Sequence, residues 1–133
     1  MHPYLVQPKL VRHCAALGIA VTAFSPLGAG SYVQLGMASP AQSALVDPVV
    51  LAIAARVSAT PAQVVLAWGL ARGCAVIPKC STVARIKENF GAAGVTLTDA
   101  DVAAISKLDK HMRFNDPGVF CELAFKTFCP IYD

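Results

Sequence analysis

Apolar positions along this chain recur with two different periods, and the two alternate. From Gln7 to Leu17, Leu10, Val11, Cys14 and Leu17 share one helical face, and Gly18 stands where a helix C-terminus favours glycine. Ile19 to Phe24 follows as a short β-rich run closed by Ser25-Pro26. It is apolar on both faces, which predicts a buried parallel strand. Gly28 to Ser43 is polar and rich in Gly, Ser, Pro and Ala, and predicts a long loop. Loops of that length inside compact domains are functional lids or disordered segments.

The second half repeats the alternation. Asp47-Pro48 predicts a helix start, with Asp as N-cap and Pro at the first helical position, running to about Val57. Thr60-Pro61-Ala62-Gln63 is a capping box, and the helix behind it, Pro61 to Arg72, is expected to bury Val64, Val65, Leu66 and Trp68. Gly73 ends that helix, and Cys74 to Ile77 predicts another short strand stopped by Pro78. Thr82 caps a helix through Phe90. Thr98-Asp99-Ala100-Asp101 opens one more, with acids in the first turn where the dipole favours them, ending near Asp109. The aromatic-rich tail 113–133, with Pro117 and Pro130, predicts an extended, packed segment.

Alternating helices and strands imply an α/β fold with a parallel sheet. Two strands are visible, too few for a self-sufficient parallel sheet, so the fold is expected to be incomplete on this chain.

Composition points the same way. The chain has 133 residues, which bounds it to one domain, with 56% apolar and 14% charged residues. Such a chain seeks to bury more surface than a free globule of this size. A net charge of +3, evenly spread, gives no case for nucleic acid. The longest apolar run, Ala15 to Phe24, is broken by Gly18 and falls short of the roughly 20 residues that span a bilayer. His2-Pro3 sits where a signal peptide would begin its apolar region, so the expected compartment is the cytosol, with an organelle not excluded. Five cysteines without a CxxC pair read as reduced thiols rather than a metal site.

Two segments hold candidate chemistry. At Phe24-Ser25-Pro26-Leu27-Gly28, a strand end offers an aromatic ring for stacking and small residues that let backbone amides approach a pyrophosphate. Taken alone the signal is weak, and a strand cap and a turn is the stronger reading. At Ile77-Pro78-Lys79-Cys80-Ser81-Thr82, a second strand end runs into a helix, whose N-terminus offers free N–H groups beside Lys79. Arg85 lies one turn in, and Glu88 and Asn89 a further turn along. That set suits a phosphate with a base beside it, the guanidinium supplying a bidentate fork. A solvated helix face fits the spacing equally well.

Together these segments, with His2-Pro3-Tyr4-Leu5, Ala62-Gln63-Val64-Val65-Leu66, Val76-Ile77-Pro78-Lys79, Arg85-Ile86-Lys87-Glu88-Asn89-Phe90 and Leu97-Thr98 to Leu108-Asp109, resemble aldo-keto reductases in order and spacing over nearly the whole chain. The tail, Arg113-Phe114-Asn115-Asp116-Pro117 through Pro130-Ile131-Tyr132-Asp133, is similar to the sugar-reducing branch, such as plant-type aldose-6-phosphate reductases. The resemblance implies the C-terminal portion of a (β/α)8 barrel: one partial domain over residues 1–133, with 28–43 as a cofactor loop and 113–133 as the tail. It implies NADP(H) as cofactor and reduction of aldehydes or aldoses to alcohols. Phe24 would stack on the nicotinamide, and the loop Ser25 to Ser31, with Ser25, Leu27 and Gly28 as its cofactor-binding residues, would wrap the pyrophosphate. Lys79 and Arg85 would hold the 2′-phosphate and Glu88 and Asn89 the adenine, with Cys80, Ser81 and Thr82 also counted to the cofactor site. Cys80 departs from the family's usual Ser.

The family's catalytic Asp, Tyr, Lys and His come from the first half of the barrel, and this chain begins after the sixth strand. Tyr4, Tyr32 and Tyr132 lack recognisable Lys and His partners, so no residue here is assigned to catalysis and the chain alone is expected to be inactive. A truncated reductase, one half of a split enzyme needing an N-terminal half-barrel, and a non-catalytic member recruited into a host assembly all fit. His2 reads as structural, and His13 and His111 as surface or packing residues on helices. Trp68 reads as core. Phe120, Phe125 and Phe128 either line a substrate pocket or pack under the barrel rim.

Overall fold

The computed structural model describes residues 1–127, without the side chains of Val119, Phe120 and Leu123. Expectations for Phe128, Tyr132 and the Phe120 ring lie outside the described residues.

Helix α1, Pro8–Ala16, leads into strand β1, Val21–Ala23. Short helix α2, Gly30–Gln34, and two single 3-10 turns precede helices α3, Pro48–Arg56, and α4, Pro61–Ala71. Strand β2, Cys74–Val76, then helices α5, Val83–Gly91, α6, Asp99–Ser106, and α7, Pro117–Phe125, complete the order. β1 and β2 pair in parallel, Val21 opposite Cys74, Thr22 opposite Ala75 and Ala23 opposite Val76. This is the architecture of a partial (β/α)8 barrel: two parallel strands with flanking helices.

α4 is the centre of the packing. Val64 to Gly69 are all buried, and Val64, Val65 and Trp68 join Val6, Val50, Ile53, Ala54 and Ile105 in one core cluster. Each fully buried side chain of this size is worth about 1.5–3 kcal/mol. Trp68 keeps its one polar atom satisfied, Nε1 donating to Ser106 Oγ at 3.0 Å. Arg72, at the end of the helix, lies 4.5 Å from the Trp68 ring centre and donates to the Val6 carbonyl at 2.7 Å.

The helix starts follow their sequence signals. Asp47 accepts from the Val49 amide at 3.0 Å, with Pro48 at the first position. Thr60 and Gln63 exchange both bonds of a capping box. Asp101 does more than complement a dipole. It closes a capping box with Thr98 and pairs with Arg56, and the Thr98 hydroxyl, ahead of Arg56, holds its carboxyl below the usual range.

Four expectations are corrected. The strands are shorter than Ile19–Phe24 and Cys74–Ile77, and they are not buried on both faces: Ala23 and Cys74 are buried, whereas Thr22, Ala75, Ile19 and Ile77 are exposed. One face packs on α4 and, among the described residues, nothing covers the other. The 28–43 segment contains α2, because Tyr32 is buried against Phe114 and draws the chain into a turn of helix. In its described part, up to residue 127, the tail is not extended: Asp116 accepts from the Gly118 amide at 2.9 Å and starts α7. His111 lies outside any helix, at φ 52°, with an exposed side chain. The helical face of α1 is real but uncovered, with Leu10 and Leu17 exposed.

Candidate functional site

Parallel pairing sends both strands out of the same edge of the sheet. The Ile77 amide donates to the Ala23 carbonyl at 3.4 Å, one step beyond the ladder. Phe24 and Ile77 therefore leave side by side, and the segments Phe24–Gly28 and Lys79–Asn89, separated in sequence, begin at one rim.

At the first segment the chain turns sharply. Ser25 has φ 48°, and the Gly28 amide donates to the Ser25 carbonyl at 2.9 Å. The Ser25 hydroxyl is 3.0 Å from the Tyr32 hydroxyl, which ties the turn to α2. Gly28, at φ 73°, lies against His2 and Phe114; a Cβ there would touch the Phe114 ring at 3.4 Å. Leu27 is half-buried against the main core. Phe24 is 56% exposed, free to take a flat ring. Beside it lies an open recess of about 170 Å³ bounded by His2, Phe24, Ser25 and Phe114, among others.

His2 supports this rim from beneath. It is buried, its ring lies 5.0 Å from that of Phe114, and its Nδ1 has no hydrogen-bond partner. Burial, reinforced by the adjacent N-terminal ammonium, pushes its pKa down to about 4, so the ring is neutral at physiological pH.

At the second segment Lys79, Ser81, Thr82 and Arg85 are exposed, and Cys80 partly so. Thr82 caps α5, its hydroxyl accepting from the Arg85 amide at 3.3 Å. No ion pair engages Lys79 or Arg85 among the described residues. Glu88 and Asn89, half-buried, lie on the following turn. α5 buries no side chain of its own; Val83, Ile86 and Phe90 are exposed. It is tied to α4 by Gln63, whose Nε2 donates to the Glu88 carbonyl at 3.0 Å.

The donor set here is two cations without ion pairs, one before and one within a capped helix start, with an exposed aromatic ring on the neighbouring strand end, a set chemically able to meet a phosphate beside a flat ring. The sequence points to Tyr32 only as an unpartnered hydroxyl and not as the packing anchor of α2, and to Gln63 only as a capping residue and not for its second bond. Tyr32-Val33, an apolar pair inside the presumed loop, is the signal that was available.

A family model described as "Aldo/keto reductase family" matches residues 1–110. The NAD(P)H-dependent D-xylose reductase of Scheffersomyces stipitis is 45% identical over 118 residues, which is 87% of this chain and 37% of that protein. A probable NAD(P)H-dependent D-xylose reductase of Emericella nidulans is 46% identical with the same coverage. A probable NAD(P)H-dependent D-xylose reductase of Aspergillus niger is 39% identical over 137 residues, 98% of this chain and 40% of that protein. The chain thus spans well under half the length of these relatives.

Proposed function

The chain belongs to the aldo/keto reductase family, and we propose that it carries the NADP(H) grip of a carbonyl-reducing oxidoreductase whose catalytic Asp, Tyr, Lys and His lie outside these residues. The observation that supports this most is the parallel pairing of β1 and β2, which starts Phe24–Gly28 and Lys79–Asn89 from one rim. When bound, the cofactor supplies hydride to a carbonyl carbon. Lys79 and Arg85 bind the 2′-phosphate, Arg85 through its planar fork. Cys80, Ser81 and Thr82 approach the same phosphate from the helix start, Cys80 without the hydroxyl that serine would offer. Glu88 and Asn89 meet the adenine edge. Phe24 stacks on the nicotinamide, and the Ser25–Gly28 turn, with Leu27 anchored in the core, lies along the pyrophosphate. The relatives' names give NAD(P)H; the choice of NADP(H) rests on the two free cations. An aldose or another small aldehyde is the proposed substrate class and the cytosol the proposed compartment.

Titrating NADPH and NADH into the chain while following nicotinamide fluorescence tests this. Binding of NADPH at least about a hundredfold tighter than NADH is expected, the margin two charge-assisted phosphate contacts provide. No NADPH binding near millimolar concentration would sink the cofactor grip.

A second reading is favoured by one observation. Leu10, Leu17, Ile19, Ile77 and Phe90 are exposed, a large apolar surface for a chain of this size, which suits a structural subunit, or a half-barrel that docks on a complementary N-terminal half. Size-exclusion chromatography separates the two: a well-behaved monomer at high concentration counts against the interaction subunit.

A further inference from the structure

Gln63 is positioned to do more than cap α4. Its Oε1 accepts from the Thr60 amide at 3.0 Å, while its Nε2 donates to the Glu88 carbonyl at 3.0 Å. The two partners fix the amide's orientation, because the Thr60 N–H requires an acceptor and the Glu88 carbonyl requires a donor. Gly91 lies against the same nitrogen: a Cβ there would stand 2.6 Å from Gln63 Nε2. So the side-chain amide rests against the last turn of α5, Glu88 to Gly91. α5 itself buries no side chain, and its apolar residues Val83, Ile86 and Phe90 face outward. With so little apolar packing, a directional bond carries much of the helix's placement.

We infer that Gln63 is the positioning residue of the cofactor grip: with Gly91 leaving room for its amide, it sets where α5 sits on α4 and so where Arg85, Glu88 and Asn89 meet an adenosine phosphate. This rests on the reading of Lys79–Asn89 as that site. Gln63 touches no ligand. It acts through the Glu88 backbone, on the same turn that presents the Glu88 and Asn89 side chains.

Gln63→Glu isolates the role. A Glu in a capping box accepts from the N-cap amide as Gln does, so α4 keeps its start. It has no donor for the Glu88 carbonyl and sets a carboxylate against it. Gly91→Ala attacks the same contact from α5, and alanine is the better helix former, so α5 itself does not lose propensity.

The probe is adenosine 2′,5′-bisphosphate, titrated calorimetrically into the chain, with circular dichroism and thermal melting in parallel. Gln63→Glu is expected to weaken binding about five- to tenfold, the span of one lost hydrogen bond, at unchanged helix content. Gly91→Ala is expected to weaken it comparably without lowering the melting temperature. The double variant Gln63→Ala/Gly91→Ala is expected to bind no worse than Gln63→Ala, since both act through one contact. If Gln63→Glu fails to fold, Gly91→Ala carries the test alone. Affinity within about twofold of the unsubstituted chain in Gly91→Ala, while Lys79→Ala loses binding, overturns the inference and leaves the grip standing. Failure of the unsubstituted chain to bind the probe overturns the grip, and this inference with it.

Discussion

A Cβ on Gly69 would stand 2.8 Å from Cγ1 of Val76. That distance is shorter than real carbon contacts, so α4 rests on β2 at a spacing only glycine permits. In an open helix Gly→Ala gains about 1 kcal/mol. Here Gly69→Ala is expected to destabilise the chain by about 1–3 kcal/mol, because the branched Val76 must move or the helix must lift. Chemical denaturation measures it. Val76→Ala in the same chain should recover part of the loss, and a Gly69→Ala variant more stable than its parent would refute the close approach.

Lys79 and Arg85 carry no ion pair among the described residues, so removing either leaves no orphaned partner. Lys79→Ala and Arg85→Ala should each leave the melting temperature nearly unchanged. Each should cost about 1.5–3 kcal/mol of NADPH affinity, the worth of one charge-assisted bond, with little effect on NADH. Equal losses for both cofactors would place these cations away from the 2′-phosphate.

Asp101 accepts from Thr98 twice and from Arg56. Its carboxyl titrates below the ordinary aspartate value, chiefly through the Thr98 hydroxyl. A depressed carboxylate contributes stability that is full above its unfolded pKa and is lost as pH falls through the folded one. Asp101→Asn should therefore flatten the acid limb of a stability–pH curve measured below about pH 4. Asp101→Ala should cost about 1–2 kcal/mol at neutral pH. An unaltered acid limb in Asp101→Asn would remove the assignment.

The Tyr4 hydroxyl donates to Asp47 Oδ2 at 3.0 Å, and its ring lies under the Lys110 ammonium at 3.7 Å. Burial first, then the Asp47 carboxylate, raises its pKa from 10.0 to about 12. The sign follows: the folded state keeps the proton longer than the unfolded one, so the stability is full below 10.0 and is lost as pH rises to about 12. Ultraviolet titration of tyrosinate should show this late-ionising group in the parent and not in Tyr4→Phe.

His2 behaves in the opposite sense. Its pKa falls from 6.5 to about 4, so the unfolded state binds the proton first and stability declines as pH drops through that window. Thermal melts at steps across it should show the slope in the parent. His2→Leu should lose the slope. Because His2 supports Gly28 and Phe114, acid should also loosen the Phe24 turn before the core melts.

The helix starts were legible because their signals are local. Asp47-Pro48, Thr60 with Gln63, and Thr98 with Asp101 each satisfy orphan amides within three residues, so spacing alone reveals them. Asp116-Pro117 carries the same signature, yet the aromatic tail around it drew attention away from the helix it starts. α2 has no side-chain cap at all; it exists because Tyr32 meets Phe114, a contact between segments far apart in sequence. Strand pairing is likewise tertiary, and the apolar pattern of Ile19 to Phe24 told which faces could be covered, not which are. At the site, Lys79, Arg85 and Phe24 were legible as residue types at strand ends. Gln63 was read for one of its two bonds, since the other goes to a carbonyl that no side-chain pattern encodes.

The parallel pairing of β1 with β2 also carries a cost in chain entropy. Val21 meets Cys74 across the stretch that holds α2, α3 and α4. Three residue pairs must offset the closure of that loop. So short a ladder, with Thr22 and Ala75 exposed, belongs to the low-stability end of the structure. Whatever binds across the rim acts as the missing rung of a short ladder, shielding the Ile77 amide and its strand neighbours from exchange more than any amide in the helices behind them.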